Sequence, residues 1–116
     1  LQSQEVGDPA LGELLAWLPG HLDEDLGVAA LAERAHMSQR TFARAFSREV
    51  GTTPAAHVEA LRVEAARTLL ATSHLGIDAI ARRVGYRRVE TLHRAFRRVV
   101  GTTPERYRDH FSRASA

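Results

Sequence analysis

Sixteen of the 116 side chains are arginine and none is lysine. A guanidinium presents a planar fork of donors that fits phosphate oxygens and guanine edges, which an ammonium does not. A formal net charge of +2 hides how unevenly these groups are distributed. Residues 1–37 hold one Arg, Arg34, against seven acids, whereas residues 38–116 hold fifteen Arg against seven acids. From Arg82 onward ten Arg face three acids. GC-rich codon usage accounts for Arg in place of Lys but not for this clustering. A basic stretch joined to an acidic one implies a nucleic-acid-binding face with a solvating or partner-facing back, and Asp23-Glu24-Asp25 is available on that back.

Other chemistries find little support. The chain has no cysteine, so disulfides, thiolate nucleophiles and zinc–thiolate sites are excluded. Six His stand at 21, 36, 57, 74, 93 and 110, without the H-x-x-x-H spacing that puts two ligands on one helix face. Ser73, His74 and Asp78 are close in sequence, but they read as a polar helix end. No glycine-rich phosphate loop is present. The chain is therefore expected to be no enzyme and to need no cofactor or metal. Base-stacking RNA recognition needs exposed aromatics. Here Phe42, Phe46, Tyr86, Phe96, Tyr107 and Phe111 all sit at core-like spacing, and Trp17 is assigned to helix packing. No apolar run reaches membrane-spanning length and no signal peptide opens the chain, so no membrane partner is expected and the cytoplasm is the default. Starting at Leu1 without Met, it reads as a piece of a longer protein.

An internal repeat identifies the elements that must position the arginines. TFARAFSREVGTTP at 41–54 and TLHRAFRRVVGTTP at 91–104 share ten of fourteen residues at an offset of 50. Upstream, GVAALAERA at 27–35 matches GIDAIARRV at 76–84 at an offset of 49, so the second copy has one extra residue in its turn. Each copy reads helix–turn–helix. Val28, Leu31, Ala32 and Ala35 form one helix face, as do Ile77, Ile80, Ala81 and Val84. Ser38 is placed to cap the next helix, which carries Phe42, Phe46 and Val50 inward and closes on Gly51. Its counterpart carries Leu92, Phe96, Val99 and Val100 to Gly101. Thr53 and Thr103 can cap a further helix that starts on Pro54 or Pro104. After Pro54 the apolar pattern sustains a connector of about 18 residues, roughly 27 Å long at 1.5 Å per residue. A helix from Ala10 to Leu18 should kink or break at Pro19.

The expectation is an all-α chain of about seven helices. It divides into a linker over 1–8, a first helix-turn-helix subdomain over 9–53, a connector helix over 54–72 and a second helix-turn-helix subdomain over 73–116. With the apolar residues turned inward, the second helix of each unit projects a polar face of a width that a major groove admits. In the first unit, about 39–50, that face carries Gln39, Arg40, Ala43 and Arg44, then Ser47 and Arg48. In the second, about 88–100, it carries Arg87, Arg88, Glu90, His93, Arg94 and Arg97. One such face is an ordinary solvated helix surface. Two in repeated units point to duplex DNA, with a helical protein-interaction module of only nonspecific nucleic-acid affinity as the alternative.

The chain resembles the DNA-binding domain of the AraC/XylS transcriptional regulators from about Leu11 to Phe111. The resemblance rests on A-x-x-A-x-M-S at Ala32–Ser38, F-x-R-x-F-x-x-x-x-G at Phe42–Gly51, and Arg62 with Ala66 in the connector. It continues in I-A-x-x-V-G-Y at Ile80–Tyr86 and F-x-x-x-x-G-x-x-P-x-x-Y-R at Phe96–Arg108. A-H-M-S-x-R-T-F-A-R is similar to the branch with a DJ-1/PfpI, glutamine-amidotransferase-like N-terminal domain. The resemblance implies a bacterial activator associated with the nucleoid, two recognition helices in successive major-groove segments of an asymmetric site, RNA polymerase as partner of the full-length regulator, and homodimerisation through the N-terminal domain. It implies base contacts from Arg40 and Arg44 and from Val89, Glu90, His93 and Arg94, and Gln39, Ala43 and Arg88 join them as base-contact candidates on the same outward faces. Phosphate contacts fall to Ser38, Thr41, Arg48, Arg82, Arg83, Arg87, Thr91, Arg97 and Arg98. The sequence departs from the family pattern at three places. His36 stands where the first turn often has Gly, His57 where the connector often has an aromatic, and the second recognition helix lacks a Ser or Thr cap.

Overall fold

The structure is a computed structural model that describes residues 8–115, with side chains to Phe111. Seven α-helices and no strand occur among these residues: α1 (Pro9–Trp17), α2 (Val28–Arg34), α3 (Gln39–Val50), α4 (Pro54–Thr72), α5 (Ile77–Arg83), α6 (Val89–Val100) and α7 (Pro104–Ser115). The all-α expectation holds. The chain divides into two compact units, with the division between Val58 and Glu59 inside α4.

In the first unit, α1 starts on an Asp-Pro pair. The Asp8 carboxylate accepts from the Ala10 N–H at 2.8 Å while Pro9 takes the first helical position, where its missing N–H costs nothing. The helix ends at Trp17, and Leu18–Gly20 tighten into a 3-10 turn, which is the form the expected break at Pro19 takes. Leu11, Leu14 and Leu18 are buried with Leu22, Leu26, Leu31, Phe42 and Phe46. Trp17 joins this core only in part. Its ring stacks on His21 at 4.1 Å, and the Arg34 guanidinium lies 3.7 Å from its centre.

In the second unit, Val63, Ala66 and Leu70 of α4 close a core with Ile80, Ala81, Val84, Leu92, Ala95 and Phe96. Arg108 of α7 donates to the carbonyls of Leu70, Ser73 and Leu75 and so satisfies the end of α4. Two apolar residues depart from the inward reading. Val99 is 46% exposed because Leu92, Phe96 and Val100 already hold the i, i+4 stripe. Phe111 is 39% exposed beyond the core, with its ring 5.0 Å from that of Tyr107.

Candidate nucleic-acid interface

Each unit positions its outward helix by the same local devices. Ala32 and Ala81 are both 1% exposed, leaving room for the two helices of each unit to pack closely. The chain then reverses through one residue at positive φ, His36 at 60° and Gly85 at 106°. Glycine takes this conformation freely and His at modest cost. The turn is held by Met37 N–H donating to Ala32 O at 2.9 Å, and by Tyr86 N–H donating to Ala81 O at 2.8 Å. Gly51 and Gly101 close the outward helices at φ of 91° and 93°. Thr53 and Thr103 then cap the next helix, each hydroxyl accepting from the N–H three residues on at 3.1 Å.

The repeat runs beyond GTTP. The His57 ring meets Phe46 edge-on at 5.5 Å and 70°, and Tyr107 meets Phe96 at 5.5 Å and 72°. His57 therefore fills the place of an aromatic, and burial holds its pKa below the usual 6.5, favouring the neutral ring.

On the outer faces, Gln39, Arg40 and Arg44 are exposed on α3, with Ala43 half-buried between them. Among the described residues, Arg40 and Arg44 have no ion-pair partner. The Ser38 hydroxyl caps α3 by accepting from Thr41 N–H at 3.1 Å, and both residues are exposed. Arg48, 69% exposed, pairs with Glu49 at 3.5 Å, which on such a surface contributes little.

On the second unit Arg82, Arg83, Arg87, Arg88, Glu90, Arg94 and Arg97 are exposed, while Val89 and Thr91 are half-buried. Arg88 occupies the N-cap of α6 with no side-chain cap, as the absence of Ser or Thr predicts. Two residues have partners that sequence reasoning missed. Arg98 is exposed but donates to both carboxylate oxygens of Glu59 on α4. His93 is drawn to α7: its Nδ1 lies 3.0 Å from Val89 O and its Nε2 lies 2.9 Å from both oxygens of Glu105. Burial alone would lower the His93 pKa. The bonds to Glu105 and Val89, with the charges of Glu105 and Glu90, outweigh it and raise the pKa above 6.5. A signal was available in the repeat. At an offset of 50, His93 and Glu105 correspond to Ala43 and Ala55, a paired change at two positions.

The motif residues Arg62 and Tyr86 meet as well, the guanidinium 5.4 Å from the ring centre. Among the described residues no group of three His, Asp or Glu is gathered as a metal would require, and no helix is long and apolar enough to cross a membrane.

Residues 31–110 match the model of the helix-turn-helix domain family. The HTH-type transcriptional regulator Rv1931c of Mycobacterium tuberculosis is 47% identical over 85 residues, which are 73% of this chain and 33% of that protein. The solved DNA-binding domain of AdpA, described as a global transcriptional factor in complex with a target DNA, is 40% identical with a TM-score of 0.85, over 90% of this chain and 94% of that one. An AraC-type transcriptional regulator from Chromobacterium violaceum is 25% identical with a TM-score of 0.78, over 89% of this chain and 92% of that one. The chain spans about a third of the length of the curated regulators it matches. It belongs to the AraC-type helix-turn-helix domains of bacterial transcriptional regulators.

Proposed function

We propose that this chain binds double-stranded DNA sequence-specifically as the DNA-reading part of a bacterial transcription regulator. In this reading α3 and α6 enter successive major-groove segments of an asymmetric site. The observation that carries it is the repeated two-sidedness of these helices. Phe42 and Phe46, and Leu92 and Phe96, are wholly buried on one side, while Arg40 and Arg44, and Arg94 and Arg97, are exposed on the other. The AdpA domain, similar over nearly its whole length, is described in complex with target DNA.

Gln39, Arg40, Ala43 and Arg44 read one box, and Arg88, Val89, Glu90, His93 and Arg94 line the other, unlike, box. Ser38, Thr41, Arg48, Arg82, Arg83, Arg87, Thr91, Arg97 and Arg98 are assigned to the phosphates, with Arg98 exchanging Glu59 for phosphate on binding. The working division is a first reader over 9–53, a connector over 54–72 and a second reader over 73–116. In the full-length regulator we assign an N-terminal domain of the DJ-1/PfpI type, homodimerisation through it, a partnership with RNA polymerase, and a place at the nucleoid.

The test is selection from a random duplex library followed by sequencing. An enriched, non-palindromic motif is expected, bound with a slope of log K against log salt of roughly −4 to −7 for about five to eight phosphates. Failure to enrich any motif at moderate salt overturns specific binding and leaves the protein-interaction alternative.

A further inference from the structure

We propose that Glu105, on α7, is a positioning residue for DNA reading by the second unit: it holds the His93 ring doubly protonated, with both N–H groups committed to acceptors within that unit. The inference rests on the DNA-binding reading above.

Hydrogen-bond direction carries the argument. A carbonyl oxygen only accepts, so the 3.0 Å contact of Nδ1 with Val89 O requires a proton on Nδ1. An ionised carboxylate also only accepts, so the 2.9 Å contacts of Nε2 with both oxygens of Glu105 require a proton on Nε2. A ring with both protons is an imidazolium. Glu90, His93, Arg94 and Arg97 fall at i, i+3, i+4 and i+7 on α6, so the ring lies within the face assigned to the groove.

The acidic groups acting on the ring are Glu105 from α7 and Glu90 from α6. Arg94 and Arg97 share α6 with it, and Arg106 and Asp109 share α7 with Glu105. The fold does not demand the pair, because the first unit has Ala43 and Ala55 at the equivalent places. What the pair adds is control of charge. Protonated, His93 neutralises Glu105 beside the proposed phosphate path. Neutral, the ring can donate to only one of its two acceptors, and the Glu105 and Glu90 carboxylates face the DNA uncompensated. DNA affinity should therefore fall as pH rises through the His93 midpoint, by about tenfold for each pH unit by which bound DNA raises that midpoint further.

The experiment uses the 116-residue chain and a duplex enriched by it from a random library at pH 6. Kd is measured from pH 5.5 to 8.5 for the wild type and for Glu105→Gln, alongside nitrogen-detected NMR of the His93 ring. A wild-type His93 midpoint above 6.5, a lower one in Glu105→Gln, and a flatter affinity profile in the variant are expected. Glu105→Asp, which keeps the charge, should restore part of the slope. A wild-type midpoint at or below 6.5, or one pH profile shared by wild type and Glu105→Gln, overturns the inference while leaving DNA binding intact. If no duplex is enriched, the DNA-binding reading itself has failed. Should Glu105→Gln not fold, the wild-type midpoint alone still decides the ring's protonation.

Discussion

Helix α3 begins on Ser38, whose hydroxyl caps it, and presents Arg40 and Arg44 without ion-pair partners among the described residues. Helix α6 begins on Arg88 with no side-chain cap, and two of its outward residues are held by carboxylates, His93 by Glu105 and Arg98 by Glu59. Their supports, by contrast, nearly superimpose in sequence: the buried Phe46 and Phe96, Ala45 and Ala95, the helix-closing Gly51 and Gly101, and the helix-starting Pro54 and Pro104. The difference separates two kinds of constraint. Residues that hold the outward helix in place are largely shared between the units, whereas outward positions differ in type at Arg40 and Glu90 or Ala43 and His93, and in partner at Arg48 and Arg98, with Arg44 and Arg94 kept in common. A unit can therefore change what it meets without changing what supports it.

The comparison breaks first if the cores are not equivalent. Phe46→Ala and Phe96→Ala each remove a ring that is 0% exposed, and each should cost about 3–5 kcal/mol. Hydrogen exchange should report similar losses of protection in α3 for the first variant and in α6 for the second. A loss in one helix only would show that the units do not stand on equal supports.

The next test separates the outward faces. Arg44→Ala should weaken an enriched duplex by about 1–3 kcal/mol, roughly ten- to a hundredfold, and affect random DNA much less. Arg94→Ala, at the matching position, should weaken it through the other box, seen as a changed base preference in a repeated selection. Equal losses on specific and random DNA would reduce either residue to a phosphate contact.

A smaller effect tests the caps. Ser38→Ala should cost about 1 kcal/mol in urea unfolding, and Arg88→Ser should return a comparable or smaller amount by giving α6 the cap it lacks. No gain from Arg88→Ser would mean that the start of α6 is already satisfied by other means.

The smallest contrast is in pH. The folded pKa of His57 is lowered, so its contribution to stability is present above about 6.5 and is lost as pH falls toward the folded value. That of His93 is raised, so its contribution is present below about 6.5 and is lost as pH rises through the folded value. Hydrogen exchange between pH 5 and 8 should give slopes of opposite sign in the two units. Each should be a fraction of the one-proton limit of about 1.4 kcal/mol per pH unit, and they should be abolished by His57→Phe and His93→Gln respectively.

Much of the molecule is legible in one dimension because its decisive choices are local. The Ser38 and Thr53 caps, the left-handed Gly51 and Gly101, and the Pro54 and Pro104 starts each depend on residues within one turn. The positive φ at His36 follows from its place in a turn that its sister closes with Gly85. Charge pairing across elements is not legible in this way. Glu59 and Arg98 are 39 residues apart, and His93 and Glu105 sit on different helices. Sequence reading thus identifies the outward cations but not which of them a carboxylate holds. Trp17 escaped for the same reason, since its neighbours Arg34 and His21 are an arginine from another helix and a histidine beyond the Pro19 break.

The hook of Arg108 on the end of α4 has a consequence for the order in which the chain is made. The carbonyls of Leu70, Ser73 and Leu75 precede their common donor by 38, 35 and 33 residues. At a ribosomal rate of about 5–20 residues per second, roughly 2–8 s pass before that guanidinium exists. The end of α4 is therefore fastened only once α7 has been made. A chain halted before residue 108 would leave the end of α4 unfastened.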